Sequence, residues 1–216
     1  MTLVDDSPPV APAETSPRHR RTWLGLVLVA ATLVGVVVGM LLPDPVSGPG
    51  SVEVGFAKDM TVHHEQAVRM AGAVVMSTTD PEIRALSYDI FSTQTAQIGQ
   101  MQGWLAPWGR GAQSIDGRYM AWMESHGGMG TETMPGMADP AELAALRNLP
   151  PGTAQDALFL QLMLRHHQGA LGMLEHTARE ADDPVVANPA ALMLSGQQHE
   201  MMVTTAMMAA RGVQPL

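Results

Sequence analysis

The chain has 216 residues, a formal charge of −9 at pH 7, no cysteine, 18 methionines and 8 histidines. That negative balance, with Lys58 the only lysine, argues against nucleic acid or an anionic lipid surface as partner. Without cysteine there are no disulfides, thiolate nucleophiles or thiolate metal sites, so any soft-metal chemistry has to run through methionine and histidine.

Trp23 to Leu42 is a run of 20 residues without a charged side chain. As a helix it spans about 30 Å, the thickness of a bilayer's hydrocarbon layer. Arg18, Arg20 and Arg21 precede the run and Asp44 follows it. The reading is a cytoplasmic tail over 1–22, a single-pass anchor in the cytoplasmic membrane over 23–42, and an extracytoplasmic remainder. A cleaved signal peptide is the competing reading, although no clear small-x-small site precedes Pro43. Gly35 and Gly39 form a GxxxG pair that allows a homodimer. Residues 43–53 (PDPVSGPGSVE) read as a linker, leaving 54–216 as the exported domain.

From Val54 the apolar and small residues recur at helical spacing to about Met76. Asp80-Pro81-Glu82 then supplies an N-cap, a first-turn proline and an acidic first turn for a helix to about Trp104. Phe56, Met60, His63, His64, Ala67, Met70, Asp80, Pro81 and Gln94 recur 103 residues later as Phe159, Met163, His166, His167, Ala170, Met173, Asp183, Pro184 and Gln197. The second pair of helices should therefore run from about Thr153 to Arg179 and from Pro184 or Asn188 to Arg211, with Pro189 leaving that start open. A lone hairpin cannot bury its apolar face, so the fold expected is all-α, a four-helix bundle of two repeated hairpins.

Gly72, Gly99, Gly103, Gly169, Gly172 and Gly196 fall inside these helices, where each costs about 1 kcal/mol relative to alanine. Close helix approach is the expected compensation. The long crossover from Pro107 to Gly152 is rich in Gly and Met, with a brief helix from the capping-box pattern Asp139-Pro140-Ala141-Glu142. It is expected to be flexible, with little core of its own.

Every histidine after the apolar run has a methionine three or four residues away, on the same face wherever the segment is helical. Met60, Met123, Met163 and Met173 precede His63, His126, His166 and His176 by three, and His199 precedes Met202 by three. In di-iron bundles a Glu-x-x-His motif turns a carboxylate and an imidazole inward. Here Met stands where Glu would, which moves the preferred ion from iron toward Cu(I). Imidazole also suits Cu(II), and zinc stays open through the histidines alone. Against this stands core packing, the commoner role of methionine at helical spacing.

The segments FAKDMTVHHEQAVRMA and FLQLMLRHHQGALGML resemble the paired signatures of DUF305, a family of unknown function, and TMPGMADPAELAALRNL fits the same family. The resemblance covers about Val54 to Arg211. It implies a ferritin-like bundle, copper binding through Met and His in some exported members, and the candidates Met60, His63, His64, Met70, Met163, His166, His167 and Met173. The family often carries an acidic residue in the helix after each signature; here the first copy has Gln97 and only the second has Glu200. Three functions stay in view: a protein that buffers or hands on copper, a metal-dependent oxidoreductase, and a tethered interaction module whose histidines serve packing.

Overall fold

A computed structural model describes residues 50–112, 117–123 and 129–216. The expected tail and anchor, most of the linker, and His126 lie outside them. Among the described residues no helix is long and apolar enough to cross a membrane.

The described residues form five α-helices and no strand: α1 (Ser51–Val75), α2 (Pro81–Leu105), α3 (Pro140–Asn148), α4 (Thr153–Glu180) and α5 (Pro184–Ala210). Helix α1 starts at Ser51, inside the expected linker. Three helices begin at Asp-Pro, where the proline's missing N–H is no loss and the aspartate satisfies amides that have no helical partner. The Asp80 carboxylate accepts from Glu82 and Ile83, and that of Asp183 from Val185. Asp139 forms a full capping box with Glu142. Helix α5 starts at Pro184 and carries Pro189 inside it, so the first of the two sequence signals prevails.

Helices α1 and α2 pair as one hairpin, α4 and α5 as another, and the hairpins meet through α1 and α4. Those two run antiparallel. The Glu53 carboxylate at the start of α1 accepts from the Asp182 and Asp183 amides just after α4. At the opposite end Arg211, following α5, pairs with Asp80 and Glu82 at the start of α2. The buried core falls into two halves. One holds Met70, Val74, Ile83, Ile90, Phe159 and Met163, and the other Phe56, Met60, Met101, Leu105, Met173 and Met193.

The crossover departs from expectation, because its described parts are fastened to the bundle. Asp59, buried on α1, accepts from the Met120 amide at 2.6 Å and the Trp122 indole at 2.8 Å. Tyr119 and Thr131 exchange two backbone hydrogen bonds. Residues 131–138 form a strap across α1 and α4, where the Gln66 amide both donates to the Ala138 carbonyl and accepts from its N–H. The strap lies against Gly169, where a Cβ would coincide with the Pro135 carbonyl, and Gly136 takes a φ of +76° beneath the Arg165 carbonyl.

Close helix approach is thus not what most of the helical glycines serve. Gly99, Gly103, Gly172 and Gly196 have open space where a Cβ would stand, and Gly72 makes only ordinary contact with Phe91. Besides Gly169, the glycine that matters is Gly55, whose Cβ would overlap Trp122. Gly55→Ala should push the indole off Asp59 and lower stability by about 1–3 kcal/mol, the range for overpacking plus a lost buried hydrogen bond. Thermal unfolding reads this directly, and an unchanged melting temperature would mean that the crossover is not held there.

Candidate metal centre

His63 and His64 sit midway along α1, and His166 and His167 midway along α4. Helical spacing puts each pair on the inward face, and the antiparallel crossing brings the pairs to one level between the two halves of the core. The rings are 0–1% exposed. Those of His63 and His166 lie 3.8 Å apart between centroids, at 38°.

Each ring spends one nitrogen on a protein partner. His64 Nε2 lies 2.8 Å from Gln97 Oε1 and His167 Nε2 lies 2.5 Å from Glu200 Oε2, the same connection at an offset of 103. His166 Nε2 reaches the His63 carbonyl at 3.0 Å, and His63 Nε2 the Pro135 carbonyl of the strap at 3.3 Å. Carbonyls and carboxylates only accept, so each Nε2 carries the proton, and in the neutral ring Nδ1 presents a bare lone pair. All four Nδ1 atoms are buried without a partner. Gln94 and Gln197, matched at the same offset, add buried amide atoms that also lack one.

Burial keeps three of these imidazoles, His63, His64 and His166, neutral. Loss of hydration pushes His63 down to about 4, with His167 opposing a charge as well and the bond to Pro135 partly compensating. The same loss, with repulsion from His63, brings His64 to about 3. His166 is held well below the ordinary histidine range, again first by desolvation and then by the other three rings. Neutral imidazole with a free lone pair is the form a metal requires. An Nε2–H held by an oxygen acceptor is the supporting arrangement that orients such ligands. Among the described residues, however, no group of three His, Asp or Glu side chains is arranged to hold an ion as it stands.

The remaining candidates divide by distance. Met60 and Met163 are buried one turn from the histidine pairs. Met70 and Met173, also buried, lie seven residues from His63 and His166, about 10 Å along the axis. Met123 packs in the half-core with Met60. His176 is half-buried beside Trp122, at 5.5 Å between ring centroids, and His199 is exposed in a groove between α2 and α5. Neither belongs to the histidine layer. Sequence reasoning missed Gln94, Gln197, Gln66 and Pro135 as parts of the site. The first two carried a signal, since they recur at the repeat offset; the others act through contacts 72 residues away.

Residues 53–208 match the family DUF305, described as a domain of unknown function. The chain belongs to the DUF305 family. A DUF305 structure from Streptomyces coelicolor, of a protein described as secreted, is 38% identical with a TM-score of 0.70, covering 76% of this chain and 96% of that one. A DUF305 fragment from Deinococcus radiodurans is 30% identical with a TM-score of 0.62, covering 75% and 98%. CopM in its Cu(I)-bound form is 21% identical with a TM-score of 0.57, covering 73% and 96%, and at that identity it shows the DUF305 fold alone. CopM has also been solved with Cu(II) and with silver. No curated protein matches the chain.

Proposed function

We propose that this protein binds copper in the histidine layer and buffers it or hands it on outside the cytoplasmic membrane. The observation that carries the reading is the set of four buried Nδ1 lone pairs on rings whose other nitrogen is already held. A buried polar atom without a partner costs about 1–3 kcal/mol. Four in one layer are a poor way to build a core and a reasonable way to receive an ion. Met60 and Met163, each one helical turn from a histidine pair, would add thioethers, and a mixed nitrogen and sulfur set suits copper in either oxidation state. That the CopM structures carry copper and silver supports the choice of metal. Ion entry requires the rings to turn, since among the described residues the side chains as they stand do not form a finished coordination sphere.

Elemental analysis of protein purified from copper-fed cells should give copper at close to a whole-number ratio to chain. Copper absent from folded protein after competition with a weak chelator would leave the packing interpretation standing.

The compartment follows from the N-terminal residues: a tail over 1–22, an anchor over 23–42, a linker reaching the start of α1, and the bundle outside. Protease added to spheroplasts should digest the bundle and spare the tail. A protected bundle would reverse the orientation.

A further inference from the structure

An ion cannot reach a buried Nδ1 atom of the layer without passing a wall. Most of that wall is helix, but one part is the strap, which is tied to the layer by the bond from His63 to Pro135. Beside the strap lies a cavity of about 410 Å³ whose lining includes Gln66, Glu132, Met134, Met137 and Asp139. Glu132 and Asp139 are exposed and make the mouth acidic; Met137 is half-buried and Met134 is buried.

Met134 belongs to the half-core that contains Met60, one turn from His63. Seven of the fourteen buried residues in that half are methionine: Met60, Met101, Met120, Met123, Met134, Met173 and Met193. In the other half only Met70, Met163 and Met208 are, among fifteen. Thioethers are therefore concentrated in the half of the core to which the cavity's Met134, Met137 and Tyr119 belong, where apolar packing alone would be served as well by leucine.

Resting on the reading of the histidine layer as a copper site, we propose that this cavity is a loading site for a soft monovalent cation, held by Met137 and Met134 before the layer takes it. Carboxylates at the mouth raise the local cation concentration. Two neutral thioethers favour a soft ion and hold it less firmly than a fuller ligand set, so the ion can move on. Pro135, beside Met134 in the strap, is bonded to His63, and Met60 shares the half-core of Met134, so these are the donors that would receive the ion, while Gln66 holds the strap's far end.

The rival door is the groove of about 360 Å³ between α2 and α5, whose donors are Glu82, Asp89, His199, Glu200 and Met207. Its donors are mostly hard oxygens, which suit a soft ion poorly.

The test presents Cu(I) as its bicinchoninate complex to the full-length protein and follows uptake by stopped-flow absorbance. Met134→Leu with Met137→Leu should slow uptake by about tenfold or more while the equilibrium partition of Cu(I) stays within about threefold, because rate and affinity are separable. Gly169→Ala, which forces Pro135 away from α4, should speed both uptake and release. Wild-type uptake by the double leucine variant would overturn the loading site. So would an affinity loss as large as the rate loss, which would make the thioethers permanent ligands. Slowing by His199→Ala with Asp89→Asn instead would move the door to the α2–α5 groove. Should the double variant fail to fold, Met137→Leu alone carries the same comparison, at a half-buried position. If the wild type takes up no copper at all, the histidine-layer reading fails, whereas uptake that is indifferent to Met134 and Met137 sinks the loading site alone.

Discussion

His64→Ala and His167→Ala should each remove most of the tight copper binding, and the double variant should be little worse than either single. The expectation rests on one shared layer. The His63 and His166 rings lie 3.8 Å apart, and the His64–Gln97 and His167–Glu200 contacts flank them from opposite hairpins. If four lone pairs serve one ion, the first deletion already breaks the set, and residues that act as a unit are not additive. Each single loss should exceed the roughly 10–100-fold cost of removing a supporting partner alone. Two separate ions, one per hairpin, would instead halve the stoichiometry in each single variant and make the losses add. The measurement is a Cu(I) titration against a competing chelator, with helicity checked by circular dichroism. Full copper binding by a folded double variant would end the case for the paired histidines.

What could be read from the sequence was local or periodic. The Asp-Pro starts of α2, α3 and α5 depend on a cap and a fixed φ within one turn, so Asp80, Asp139 and Asp183 announce their helices without tertiary help. The inward pairing of His63 with His64 and of His166 with His167 follows from helical period. Other features were decided by contacts between distant segments. Asp59 looks like one more helical carboxylate until Met120 and Trp122 arrive from 61 and 63 residues away. Gly169 looks like a helix defect until Pro135 lies on it. The Met-rich crossover reads as flexible because its order comes from Asp59, Gln66 and Gly169 and not from its own composition. Met70 and Met173 show the limit of motif reasoning: they share the pattern of the ligand candidates and sit two turns away from the layer.

The two supports of the layer are not equivalent. Gln97 offers His64 a neutral acceptor, while Glu200 offers His167 a carboxylate that strengthens the imidazole as a donor to metal. An ion shared across the pseudo-equivalent pairs would therefore be held more firmly from the second hairpin. Of the two single variants, His167→Ala should have the larger effect.

Acid should unfold the metal-free protein by way of the same histidines. In the unfolded chain they titrate near their ordinary value of about 6.5. In the fold His63 is held down to about 4 and His64 to about 3, with His166 also well below its usual range. Between those limits the unfolded state binds more protons than the native one, so stability falls as pH falls. Their stabilising effect is complete above about pH 6.5 and drains away as the pH drops through 4 toward 3. Each histidine contributes up to about 1.4 kcal/mol per pH unit, so three give about 4. Two units of acidification then approach the whole of a typical domain stability, about 5–15 kcal/mol. The metal-free protein should therefore unfold cooperatively within this window, and His64→Leu with His166→Leu should flatten the slope. If the native layer binds copper more tightly than the unfolded chain does, copper should push the acid transition to lower pH. It should also persist below pH 6.5, because protons compete for the native lone pairs of His63, His64 and His166 only near their depressed values. Urea midpoints measured from pH 7.5 to 4 provide the comparison. Stability that stays level across that range would mean that water reaches the rings and the layer is not sealed.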